Sequence, residues 1–225
     1  MSIRPELRAQ HVAALAAKGF VVAPSLPLER NLAATIDYTR VASRMLAAKI
    51  VFLYVAAPAD MVSRERIDTS ILVNKLDPFF TAKERTILAQ DRAAARTQHL
   101  DAIGWSLENL VAFAWIYGSA LLTSVGLTMC AGAPLKTLLT LDTPPVTGEL
   151  GHWLRPRIRR TYEQIAGQED FFYCWHNAVR SIAFSGAQNP TPLDPKLLVG
   201  LIQERRHALT YALSTGTWEE TDLST

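Results

Sequence analysis

The 225-residue chain is short of the residue types and spacings from which common active sites are built. It has two cysteines, Cys130 and Cys174, with no CxxC pair and no zinc-ligand spacing. That excludes a disulfide scaffold and fits a reducing compartment. Histidines 11, 99, 152, 176 and 207 make neither HxxxH nor HExxH, so no helix-borne zinc pair is encoded and no metal is expected. The patterns GxGxxG and GxxxxGKS/T are also missing, which excludes the usual dinucleotide and phosphate loops and leaves no cofactor expected. Charge of one sign is scarce as well: 23 Lys and Arg against 21 Asp and Glu leave a formal +2. No general field exists to draw in DNA or an anionic membrane. No internal repeat, low-complexity tract or persuasive strand alternation interrupts the chain.

What is abundant is apolar. Hydrophobic residues make up 49% of the sequence, enough for a sizeable core in a chain that buries roughly 70% of its unfolded surface. The opening MSIRPELRAQH has no apolar stretch behind its charges, so no secretory signal is read there and a cytoplasmic location is expected. One run, 109–135, carries no charged side chain, yet Gly118, Gly126, Gly132 and Pro134 break it and four Ser and Thr residues stud it. It reads as a buried core helix followed by an apolar turn rather than a membrane span.

Helical periodicity dominates. A first helix is expected from about Pro5 to Lys18, stopped by Gly19, and a long one from about Asn31 to Ala57, stopped by Pro58. A helix around 64–76 gives way at DPFF, and Thr81 with Glu84 forms a capping box that restarts helix at Ala82. GWSLENLVAFAWIYG is the apolar central helix. Thr161 and Gln164 open another that runs to Ser185 before Gly186, and Asp194 followed by Pro195 opens the last, to about Leu213. The fold class is therefore all-α: a single globular domain of roughly seven to nine helices over 1–225, with little or no sheet. The Pro-rich connection near 142–152 is the best place for a hinge or surface loop.

On a helical wheel DFFYCWHNAVR, 170–180, sorts into a packing stripe of Phe171, Trp175, Ala178, Val179 and, just beyond, Ile182. A polar face holds Asp170, Cys174, Asn177 and Ser181, and a flank holds Tyr173, His176 and Arg180. Cys174 and His176, two apart, point away from each other and cannot pair as nucleophile and base. In the last helix Arg205 falls within the apolar stripe of Leu198, Leu201, Ile202, Leu209 and Ala212, and needs an acidic partner. Glu108, in the central helix, is read as buried too. A Glu108–Arg205 ion pair follows, with Asp170 as the second acceptor. Arg155, Arg157, Arg159 and Arg160 form the single dense basic run, a candidate for RNA or phosphate.

Three blocks, GWSLENLVAFAWIYG, RTYEQIAGQEDFFYCWHNAVR and ERRHALTYAL with the closing WEETDLST, resemble the motif blocks of the bacterial family catalogued as domain of unknown function 4272. Trp105, Glu108, Trp115 and Gly118 match the first. Asp170, Tyr173, His176 and Arg180 match the second, and Glu204, Arg205, Ala208, Leu209 and Trp218 the third. Ser106 and Cys174 stand where the family tends to have arginine. The resemblance implies a mainly helical cytoplasmic bacterial protein and brings no activity with it.

With no nucleophile–base pair, metal set or phosphate loop, the first expectation is a non-catalytic module of accessory or immunity type that binds a protein partner, with self-association into a homo-oligomer compatible. The alternative is an enzyme or small-ligand receptor, with Glu108 or His176 as general base and Asp170, Arg180, Glu204 and Arg205 around the ligand. RNA or phosphate binding through Arg155, Arg157, Arg159 and Arg160 is the third reading, with affinity that falls steeply with salt.

Overall fold

The computed structural model of the chain describes residues 4–28, 32–33 and 35–224. Among them lie eleven α-helices and no strand: α1 Pro5–Ala16, α2 Tyr38–Ala56, α3 Arg64–Val73, α4 Ala82–Ala89, α5 Arg92–Ile103, α6 Ser106–Ile116, α7 Leu121–Ser124, α8 Gly132–Thr137, α9 Leu150–Leu154, α10 Tyr162–Ser185 and α11 Pro195–Ala212. A 3-10 turn occupies Asp77–Phe79 and a π-helical stretch Leu138–Asp142. The all-helical expectation holds. The helix count exceeds seven to nine because the short helices α7, α8 and α9 sit in stretches whose Gly and Pro content reads as loop. Among the described residues no helix is long and apolar enough to cross a membrane.

The capping signals are realised where they depend on neighbours in sequence. Thr81 Oγ1 accepts from the Glu84 amide while the Glu84 carboxylate accepts from the Thr81 amide, and Thr161 with Gln164 does the same at α10. Asp194 caps α11 through the amides of Lys196 and Leu197. Gly186 ends α10 at φ +70°, the left-handed conformation that glycine adopts without penalty. The long second helix differs from expectation: its proposed start at Asn31 lies outside the described residues, and α2 begins at Tyr38 because the Asp37 carboxylate accepts from the Arg40 amide.

The chain divides into two compact units, Met1–Ile36 with Arg160–Gly216 and Glu220–Thr225, and Asp37–Arg159 with Thr217–Glu219. In the second unit α2 packs against α3, α4, α5, α6 and α9, which is why 14 of its 19 residues are buried. Its cation Arg44 forks onto Glu84 at 2.7 and 2.8 Å and lies 4.5 Å from the Trp218 ring, which in turn faces Phe113. The Trp218 indole therefore covers a desolvated guanidinium as well as an apolar side chain. We predict that Trp218→Ala lowers unfolding free energy by about 2–3 kcal/mol, the sum of a desolvated cation–π contact and an aromatic pair. Urea denaturation measures it, and a change below about 0.5 kcal/mol would contradict it.

The Pro-rich connection at 142–152 lies inside the second unit, where several side chains tie it down. Thr143 Oγ1 donates to the Leu138 carbonyl. Asn74 accepts from the Leu150 amide and donates to the Gly148 carbonyl. Lys49, buried on α2, gives its ammonium to the carbonyls of Leu139 and Pro144 at 2.8 and 2.7 Å. Burial lowers its pKa to about 8, as desolvation penalises the charged form.

In the first unit α10 is the middle helix, packed against both α11 and α1. Gly167 faces Leu7 of α1, where an added Cβ would make an ordinary van der Waals contact at 3.5 Å. Phe20 and Phe171 pack edge-on to Trp175, and Asn177 Oδ1 accepts from the Ala23 amide, pinning the segment after α1 to α10.

Candidate functional site

With a neighbour on two sides, α10 buries more of its polar side chains than its wheel suggests. Of the expected stripe Trp175, Ala178, Val179 and Ile182 are buried and Phe171 is half-buried, while Glu169, Asp170, Tyr173, Cys174 and His176 are buried as well. The thin polar edges are thus interior, and each must find partners. Asn177, also placed on the polar face, is half-buried.

Asp170, fully buried, faces α1. Arg8 reaches it with Nε at 3.0 and 3.1 Å and Nη2 at 2.6 Å, and His11 donates from Nδ1 at 2.8 Å. Arg8 also donates to the carbonyls of Leu26 and Pro27. Burial alone would raise the Asp170 carboxyl, but the hydrogen bonds from His11 and Arg8 outweigh it and hold it below the usual carboxylate range. Sequence alone names Arg205 as a cation for Asp170 and gives no sign of these partners on α1.

The opposite flank of α10 faces α11. Glu169, Tyr173 and His176 stand at i, i+4 and i+7, one helical face, and Arg206 and Thr210 stand at i and i+4 on α11. Arg206, 1% exposed, donates from Nε to Glu169 Oε1 at 3.4 Å and from Nη1 to His176 Nδ1 at 2.8 Å. Thr210 Oγ1 donates to the same Glu169 oxygen at 2.8 Å. Two further donors reach main chain: Nη1 the Leu223 carbonyl at 2.8 Å and Nη2 the Ser224 carbonyl at 3.1 Å. Tyr173 lies between two guanidinium groups, Arg206 at 4.6 Å and Arg8 at 5.3 Å from its ring centre.

A guanidinium has no acceptor, so His176 Nδ1 must accept and the ring proton sits on Nε2. That nitrogen is buried without a hydrogen-bond partner. Desolvation, reinforced by the charges of Arg206 and Arg180, lowers the His176 pKa to about 3. The imidazole is thus neutral, with its basic nitrogen occupied by Arg206.

Beside this cluster lies a cavity of about 350 Å³, walled by Tyr173, Arg206, Thr210, Ser214 and the segment carrying Asp222 and Ser224. That size suits a small ligand or a few side chains. Its walls carry the Arg206 guanidinium, the hydroxyls of Thr210, Ser214 and Thr215, and the carboxylates of Glu220 and Asp222.

The other expected site residues belong to both units. Arg180 is exposed on α10, near Phe184, and Glu204 is half-buried on α11. Arg205 is buried in α11 of the first unit. Glu108 is buried in α6 of the second unit, where Oε1 accepts from the Cys130 amide at 2.8 Å. In the basic run, Arg157 stacks on Trp153 and donates to the Leu141 carbonyl, and Arg159 lies over Tyr38. No group of three or more His, Cys, Asp or Glu residues able to hold a metal occurs among the described residues. Arg8, His11, Glu169, Arg206 and Thr210 escaped the sequence reading. Glu169, at i−4 from Tyr173 and i−7 from His176, could have been found by extending their flank one turn toward the N-terminus.

Residues 8–221 match a family model described as a domain of unknown function, DUF4272. No curated protein and no solved structure matches the chain.

Proposed function

The chain belongs to the DUF4272 family, a membership that assigns no activity, and we propose that it is a non-catalytic binding module holding a protein partner at the polar pocket of the first unit. One observation carries this: Arg206, immobilised by Glu169 and His176, spends two further donors on main-chain carbonyls. A buried, pre-oriented guanidinium is a recognition device, since little rotamer freedom is lost when it binds. The acids and bases around it support binding over catalysis. Asp170 is matched by Arg8 and His11, and the basic nitrogen of His176 is filled by Arg206.

A photocrosslinking residue at Thr215, exposed on the pocket rim, tests this in cells that encode the chain. We expect an adduct of defined mass that Arg206→Lys, which keeps the charge against Glu169 but loses the fork, diminishes at least about tenfold. An adduct unchanged by Arg206→Lys, or none at all, would remove the reading.

A further inference from the structure

Resting on that reading, we propose that the segment Thr221–Ser224 is an internal ligand: it occupies, in cis, a site that reads an extended peptide of the partner through its main chain. Arg206 donates to two carbonyls of the segment, those of Leu223 and Ser224. A carbonyl is common to every residue, so these contacts carry no side-chain information, and any extended peptide presents the same pair of acceptors. The donor side is built beforehand. Glu169 and His176 hold the guanidinium and the Tyr173 ring lies 4.6 Å from it, which lowers the entropy cost of capturing a flexible chain.

The occupying segment is neither helix nor strand, and it turns locally, Ser224 donating its amide to Asp222 Oδ1 at 2.9 Å. It also leaves its site underfilled. The cavity of about 350 Å³ remains beside it, against Pro27, Tyr173, Thr210 and Ser214, room that a partner's side chain fills and the chain's own segment does not. A tethered ligand of this kind acts at an effective concentration on the order of millimolar. A free peptide of comparable contacts therefore displaces it only at similar concentration, whereas a partner that also fills the cavity displaces it more readily.

The full chain allows a direct test. Cys130 and Cys174 are both buried, so Ser224→Cys creates the accessible thiol and leaves the main-chain carbonyl in place. A fluorescent label there reports whether the segment is held. We expect high anisotropy that falls on titration with the blocked peptide Thr-Asp-Leu-Ser-Thr at about 1–5 mM, with a scrambled peptide of the same composition acting within about threefold. In Arg206→Lys the label is mobile from the start and neither peptide changes it. A segment that stays held at about 5 mM of both peptides, or that is equally held in Arg206→Lys, overturns the proposal. Should Arg206→Lys fail to fold, the outcome rests on the titration of the otherwise unaltered chain. The two readings fail separately: an Arg206-dependent crosslinked partner with no peptide displacement leaves the binding module standing without an internal ligand.

Discussion

Asp170→Asn is expected to lower the unfolding free energy by about 3–5 kcal/mol, the range for removing one partner of a buried ion pair. The Asp170 carboxylate is wholly buried and Arg8 is nearly so, with side-chain exposures of 0% and 9%. Asparagine keeps the shape but not the charge. It leaves the Arg8 guanidinium desolvated beside a neutral amide and takes from His11 its charged acceptor. The cost is the penalty of an uncompensated buried cation, which exceeds the net worth of the pair. A double-mutant cycle separates the two quantities. In Arg8→Met/Asp170→Leu the buried charges disappear together, while the Leu26 and Pro27 carbonyls lose a donor, so recovery is partial. The double variant should be destabilised by less than the sum of the two singles, with a coupling of about 2–3 kcal/mol. Urea denaturation of the four proteins measures it. Additivity within about 0.5 kcal/mol would mean that Arg8 and Asp170 do not sense each other in the folded chain.

The same pair shows where sequence reading stops. Thr81 with Glu84, Thr161 with Gln164 and Asp194 with Pro195 announced helix starts because a cap is a hydrogen bond between residues two or three apart, and the pattern is complete in the local sequence. Arg8 and Asp170 are 162 positions apart, and nothing in either neighbourhood names the other. The wheel of α10 placed Trp175, Val179 and Ile182 in the core correctly, since an apolar stripe marks at least one buried face. It could not show that α1 and α11 flank the helix, so Asp170, Tyr173 and His176 read as edges when they are interior. Arg205 drew attention by standing in an apolar stripe. Its neighbour Arg206, about 100° away on the wheel, is the one that Glu169 and His176 hold. A buried cation beside a polar row on the facing helix becomes visible only when the two helices are paired.

His176 gives the second large effect, and its direction follows from linkage. The native pKa is lowered from 6.5 to about 3, whereas an unfolded histidine titrates near its ordinary value of about 6.5. Between those values the unfolded chain binds one proton more than the native chain at this residue, so stability rises with pH across that window. The contribution is complete above pH 6.5 and is lost as pH falls toward 3, at about 1.4 kcal/mol per pH unit, or about 2 kcal/mol by pH 5. The cause is local: protonating Nδ1 would place a cation in a buried site 2.8 Å from Arg206 Nη1. His176→Gln supplies an uncharged amide oxygen in place of the imidazole and removes this proton from the balance. The difference in unfolding free energy between the native sequence and His176→Gln should therefore shrink by about 2 kcal/mol from pH 7 to pH 5. The remaining histidines are common to both proteins and cancel. Asp170, whose lowered pKa acts below the ordinary carboxylate value of 3.8, stays outside that interval. Urea denaturation at the two pH values is the measurement. Parallel pH dependences would show that His176 accepts a proton in the native chain as readily as in the unfolded one, and that the Arg206 clamp does not hold the imidazole neutral.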